Sequence, residues 1–273
     1  MADLVSGPHA LALMKRRDKL VAKQGPWLPL WRELGEHISP RKTNALLNRS
    51  RGSKQTIKLF DSTALDSVTK LSASMQGSLT PATSRWFSLI YAKRELNDLR
   101  EARDWLEDSS VRIYQLYSES NFYSEIAEVY LDLAVFAVAT ILQEEKGNPT
   151  DEKSPFGGFQ FRTLSLGEYA IAEDPEGYVD TVFRTFKMTA RNMVTEFGAA
   201  MVSDKIREKA KSDPDEEFEV IHAVYPRPDI PRFIEGQVIG MKRPWASCYV
   251  DAASKTLLKE TGFYTFPYAA PRW

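Results

Sequence analysis

The spacing of apolar residues changes once along this chain, and that change limits what it can fold into. Up to about Leu142 apolar residues return every three or four positions, as in "FYSEIAEVYLDLAVF". After Gly158 short runs rich in β-branched and aromatic residues take over, such as "FQFRTLS" and "YVDTVFRTFKM", separated by turn signals. The first spacing lines one face of a helix, and the second kind of run reads as strand. Helix and strand signals are segregated along the chain, which predicts an α+β fold. The expected division is a helical region over 1–145, then a mixed, mainly antiparallel β region with short helices over 146–273.

Within the first region, Ala10 to Gln24 predicts a helix stopped by Gly25-Pro26. A second helix follows, carrying Trp27, Leu30, Trp31, Leu34 and Ile38 on one stripe and ending at Ser39-Pro40. Asp61 is the expected N-cap of a third helix, whose stripe is Leu65, Val68, Leu71 or Ser72, Met75 and Leu79. Its flanks are thin: Ser67, Ala73, Ser74 and Gly77 are all small, so another element is expected to come close. Thr80-Pro81 ends it, because proline has no amide proton and biases the residue before it away from helix. A longer helix is predicted over about 95–117, with Leu99, Ala102, Leu106, Ile113 and Leu116 inward. Ser120 is expected to cap the next, carrying Phe122, Ile126, Val129, Leu133 and Phe136. In the second region "DPEGY" predicts a hairpin turn between "YAIAED" and "YVDTVFRTFKM".

Charge and motif content exclude several functions. Formal net charge is −1, so the whole chain is not an electrostatic ligand for nucleic acid or membrane. The longest apolar run, "LAVFAVATIL", is about half the ~20 residues that a membrane-spanning helix needs. With Cys248 as the single cysteine, neither a disulfide framework nor a multi-cysteine zinc site can form within the chain. The phosphate-cradling G-x-x-x-x-G-K-[ST], the dinucleotide G-x-G-x-x-G, H-E-x-x-H and G-x-S-x-G are all absent from the sequence. His9, His37 and His222 have no ligand-spaced neighbours and read as structural histidines. Cys248 lies in a predicted strand without an activating charge beside it, as an inert buried thiol does. Carboxylates at Asp104, Glu107 and Asp108 share a helix face with Arg100, Arg103 and Arg112, so they read as weak surface pairs. No catalytic, cofactor-binding or metal-binding residue is therefore assigned, and the chain is expected to be non-enzymatic.

One electrostatic feature remains. Residues 41–58 hold Arg41, Lys42, Arg49, Arg51, Lys54 and Lys58 without an acidic residue. As an exposed loop these cations are candidates for contact with a partner or another subunit, or with DNA phosphates. No aromatic side chain lies among them to stack on a base. Leu65, Gly77, Trp86 and Phe87 are the candidate helix-packing residues, with the Trp-Phe pair pinning the segment after the thin helix.

The order of several segments resembles a known family. "WRELGEHISPRK", "FDSTALDSVTKLSASMQGSLTPATSRWFSL" and "SNFYSEIAEVYLDLAVFAVATILQEE" are similar, in order and spacing, to the amino-terminal part of the head-to-tail connector proteins, the portals of short-tailed bacteriophages. "GFQFRTLSLGEYAIAEDPEGYVDTVFRTFKMTARNMVTEFG" and "FYTFPYAAPRW" continue the resemblance to the end of the chain. It implies a structural subunit of a homo-oligomeric, dodecameric ring in the virion, made in the host cytoplasm and set at the capsid vertex. Capsid, tail adaptor and packaging motor proteins would be its partners. Double-stranded DNA would pass through without sequence recognition, and no membrane or cofactor would be involved. These residues resemble the family's wing; stem, clip and crown are expected to follow Trp273. The alternative readings are a DNA-binding accessory protein using 41–58 and an enzyme with an unrecognised site.

Overall fold

The computed structural model describes residues 6–42, 59–147, 156–228 and 243–273. They form helices and two antiparallel sheets, an α+β fold, divided between two compact units.

The first unit takes, of the described residues, 6–32, 165–228 and 243–267. Its sheet runs β3 (Tyr169–Glu173), β4 (Val179–Thr189), β5 (Glu217–Pro226), β6 (Trp245–Asp251) and β7 (Thr256–Phe263), every neighbour antiparallel. The β3–β4 hairpin turns at Asp174 to Tyr178. There the Asp174 carboxylate accepts the amides of Glu176 and Tyr178 at 3.0 and 2.9 Å, and Gly177 takes a φ of +87°. A side chain would strain that left-handed backbone, which is why the turn signal carries glycine.

Alternation along the strands gives this sheet two apolar faces. Ala170, Phe183, Ile221, Ala223, Ala246, Cys248 and Val250 cluster with Ala10, Leu13 and Leu20 of α1 (Ser6–Gln24). Phe218, Val220 and Leu258 instead cluster with Ala190, Met193 and Phe197 of α7 (Ala190–Phe197) and Ile206 of α8 (Asp204–Ser212). Polar groups fix α1 over its face: Arg16 donates to Thr181 Oγ1 at 3.1 Å and lies over the rings of Phe183 and Tyr225. The amino-terminal helix thus finds its partner more than 150 residues away in sequence.

The second unit takes, of the described residues, 33–42, 59–147, 156–164 and 268–273. The helix α2 (Leu28–Ile38) contributes residues to both units. In the second lie α3 (Thr63–Leu79), a single turn α4 (Arg94–Asn97), α5 (Arg100–Glu119) and α6 (Phe122–Phe136). A small sheet orders β2 (Phe159–Thr163), β1 (Ile141–Glu145) and β8 (Tyr268–Ala269). Its core is Phe122, Val129, Tyr130, Leu133, Ala139, Ile141 and Phe161.

The free edge of β2 is covered by side chains of α6 and of the residue before it. Asn121 exchanges two hydrogen bonds with the Phe161 backbone at 2.8 and 2.9 Å, and Glu125 accepts the Thr163 amide at 2.6 Å. Those bonds replace a neighbouring strand and block edge-to-edge pairing. At the far end of α6, Ala137 adopts a left-handed φ of +61° and closes the helix by donating to Leu133 O.

Two helix readings differ from what forms. The predicted helix over 95–117 is broken at Asp98-Leu99, and Leu99 is exposed. In α5 the buried positions are Leu106 and Ser110, the serine donating to Leu106 O at 2.8 Å and accepting the Leu89 amide at 3.3 Å. In α3 the inward row is Leu65, Val68, Ser72, Met75 and Gln76, whereas Leu71 and Leu79 are 48% and 56% exposed. Of the two residues offered for the middle slot, Ser72 takes it and Leu71 does not, and Leu79 falls outside the row.

Candidate interaction surfaces

The two described cations of the 41–58 segment do not stand alone. Pro40–Lys42 is a 3-10 turn directly after α2 and Ser39, and it sets Arg41 and Lys42 beside α6. Arg41 donates to Glu128 Oε1 at 2.9 Å. Lys42 reaches Glu128 Oε2 at 2.5 Å and Asp132 Oδ1 at 3.0 Å. Glu128 and Asp132 lie four apart on α6 and so share a face. Asp132 is buried, and burial, against the charge of Lys42, lifts its carboxyl from 3.8 to about 6. Burial also raises Glu128, but bonding and charge from Lys42 and Arg41 outweigh it and leave that carboxyl lowered. Arg49, Arg51, Lys54 and Lys58 lie outside the described residues.

Trp86 and Phe87 are half-buried in an aromatic stack. Trp86 lies nearly parallel to Tyr117 and Phe122 at 6.2 and 5.9 Å between ring centres, and Phe87 stacks on Tyr114 at 4.4 Å. Leu65 is half-buried on α3. Gly77 is exposed, and a Cβ built there would meet nothing within 4 Å among the described residues. The close approach expected at Gly77 is absent among the described residues, which leave room there for a larger residue.

The exposed faces of the second unit carry large apolar side chains. Phe60 and Ile90 are 86% and 77% exposed, and Leu71, Leu79, Leu99 and Trp105 are also exposed. Isolated apolar side chains on a surface are ordinary.

In the first unit, a cleft of about 160 Å³ opens beside α1 and β3, lined by Arg17, Arg32, Glu168, Tyr169, Phe183 and Thr185. Sites for small-molecule ligands run roughly 300–1,000 Å³. His222, on the α7/α8 face, is buried against Tyr249 with ring centres 4.1 Å apart and 2.9 Å from Ser247 Oγ. Burial first, then the charge of Arg184, pushes its imidazole down to about 3. It is a neutral core histidine.

His9 and Cys248, by contrast, are brought together. His9 Nε2 lies 3.9 Å from Cys248 Sγ and 3.2 Å from Tyr225 Oη, and Glu260 faces the same spot. Sequence spacing could not reveal this group, because His9 and Cys248 are 239 residues apart. Among the described residues, no helix is long and apolar enough to cross a membrane.

The chain is thus an α+β protein whose second unit exposes large apolar side chains and whose Arg41 and Lys42 are paired with acids of α6. It belongs to the family described as bacteriophage head to tail connecting protein, which matches residues 10–273. The chain is similar to the portal protein of Salmonella phage epsilon15, at 29% identity over 265 residues, covering 96% of this chain and 46% of that protein. It is also similar, at 27% identity over the same length, to the probable portal protein of Bordetella phage BPP-1, again covering 46% of the relative. The chain therefore spans about half the length of the curated relatives it matches.

Proposed function

We propose that this chain is the wing portion of a portal subunit, a structural component of the phage virion at the head–tail vertex. The observation that carries this reading is the continuous family match over 10–273, which takes in both compact units. The subunits would close into a ring, with twelve copies as the expected number. Capsid, tail adaptor and packaging motor proteins would bind the ring, and double-stranded DNA would pass through it in packaging and ejection. A helical 1–145 and a β-rich 146–273 would form the wing, with stem, clip and crown contributed by the rest of the portal sequence. The role is holding shape, without turnover.

Support for a passive role comes from the way charge is used. Arg41 and Lys42 are already engaged by Glu128 and Asp132, which removes two of the six cations from a DNA-contact reading of 41–58. The exposed apolar side chains of the second unit fit burial against neighbouring subunits or the rest of the portal.

Mass photometry and negative-stain imaging of the full-length portal test the proposal. Closed rings with a central hole are the expected result. Monomers at every concentration, or a substrate turned over by the purified protein, would overturn it.

A further inference from the structure

We propose that His9, Cys248 and Glu260 form a binding site for a thiophilic divalent cation of the zinc type, which fastens α1 to the five-stranded sheet. The three donor atoms lie within 4.8 Å of one another. They come from three separate elements: α1, β6 and β7. Strand register explains two of them, because Cys248 and Glu260 are directly paired across β6 and β7 and so point to the same face. That face is the one covered by α1, and it is otherwise apolar around Cys248, with Ala223, Ala246 and Val250 as neighbours in the cluster. A thiol, an imidazole and a carboxylate thus converge at one spot on that face, a donor set that one metal ion can engage together.

The donor set and its spacing suit zinc. Nitrogen and sulfur ligands favour zinc over magnesium or calcium, which take oxygen. A tetrahedral zinc ion, ~2.3 Å from sulfur and ~2.0–2.1 Å from imidazole nitrogen, holds those two donors about 3.6 Å apart. The observed separation is 3.9 Å, so closing on an ion needs only a small side-chain adjustment. Tyr225 Oη, 3.2 Å from the His9 nitrogen and 3.7 Å from the Cys248 sulfur, stands beside the fourth position, which it or a water would fill. Arg227 donates to Glu260 Oε1 at 3.0 Å and to the Thr261 carbonyl at 2.9 Å, an outer contact that orients the carboxylate. On binding, the Cys248 thiol gives up its proton to solvent and its sulfur bonds to the ion. No electron is transferred. Cys248 is fully buried, while His9 and Glu260 are half-exposed and leave a way in.

Cobalt(II) alone, added to the full chain after chelator treatment, is the probe. The expected result is one ion per chain with a thiolate-to-cobalt charge-transfer band, displaced by an equivalent of zinc. Cys248→Ser should abolish the band, and His9→Gln and Glu260→Gln should each weaken uptake at least about tenfold, the scale seen when even supporting contacts of metal ligands are lost. Zinc should raise the melting temperature of the parent and leave that of Cys248→Ser unchanged. Should a variant fail to fold by circular dichroism, X-ray absorption of the parent cobalt adduct decides: sulfur together with imidazole in the ligand shell supports the site. A parent chain with no band, a shell without sulfur, or a band of equal strength in His9→Gln and Glu260→Gln would overturn it. The four side chains would then be a hydrogen-bonded cluster only.

Discussion

The Tyr114 hydroxyl closes a two-way bridge with the backbone of Phe87, accepting its amide at 2.6 Å and donating to its carbonyl at 2.8 Å. The same oxygen accepts the Trp86 amide at 2.6 Å. One side chain of α5 thus satisfies three backbone groups of a segment that has no regular structure of its own. Backbone groups withdrawn from water need such partners. The aromatic stack over Tyr117 and Phe122 depends on that segment being held in place.

Tyr114→Phe keeps the ring stacked on Phe87 and removes only the hydroxyl. It should destabilise the chain by about 1–3 kcal/mol, the range for leaving partly buried polar groups unpaired. Urea unfolding followed by tryptophan fluorescence is the measurement. A variant as stable as the parent would mean that water reaches these amides and that stacking alone holds the segment.

Gly77 sits in the last turn of α3 with open space where a side chain would go. Glycine within a helix is roughly 0.5–1 kcal/mol less favourable than alanine, because more backbone freedom is lost on folding. Gly77→Ala should therefore stabilise the isolated chain by up to about that amount and raise its melting temperature. Gly77→Leu should be tolerated as well. A loss of stability in either variant would restore the close-packing account that the thin sequence of α3 suggests.

What the sequence made readable is what period and punctuation encode. The strands β2, β3 and β4 and the helices α1, α2 and α6 follow from apolar spacing and from Gly, Pro and Asp signals. The break at Asp98-Leu99 was not readable, because no proline or glycine marks it. Spacing left Leu71 and Ser72 both open for one inward slot of α3, and it gave no sign of Ser110, whose inward position goes with accepting the Leu89 amide of a segment without regular structure. The placement of α1 over the sheet depends on Arg16 meeting Thr181 and on Leu13 meeting the sheet face, across a separation that no local pattern records. The same distance hid the meeting of His9 with Cys248. The basic segment was readable as charge, but the acids that engage Arg41 and Lys42 lie on a helix more than 80 residues further on.

Asp132 gives the chain a pH dependence of definite sign. Its folded-state value, near 6, is above the ordinary carboxylate value of 3.8 because burial outweighs the pull of Lys42. Between about pH 4 and 6 the folded chain keeps a proton that the unfolded chain releases. This contribution to stability is complete below about pH 4 and lost as pH rises through 6. Asp132→Asn removes the titration, so stability measured against the parent should move in the variant's favour by up to about 2–3 kcal/mol between pH 4 and 7. A difference that stays constant with pH would show that Lys42 keeps Asp132 ionised throughout.

His222 works in the opposite direction over an overlapping window. Its imidazole, held to about 3 by burial and by Arg184, stays neutral in the folded chain, while in the unfolded chain it takes up a proton near pH 6.5. Its contribution is present above pH 6.5 and lost as pH falls, by roughly 1.4 kcal/mol for each pH unit between about 6 and 4. His222→Gln keeps a polar group near Ser247 Oγ but loses the stack on Tyr249, so it should be less stable at neutral pH. Its stability should fall less steeply in acid, with the slope reduced by close to one proton. Urea unfolding from pH 7 to 4 in parent and variant separates the two effects, since the stack shifts the whole curve and the proton changes only its slope. Parallel curves would mean that water or an alternative packing lets His222 charge within the folded chain.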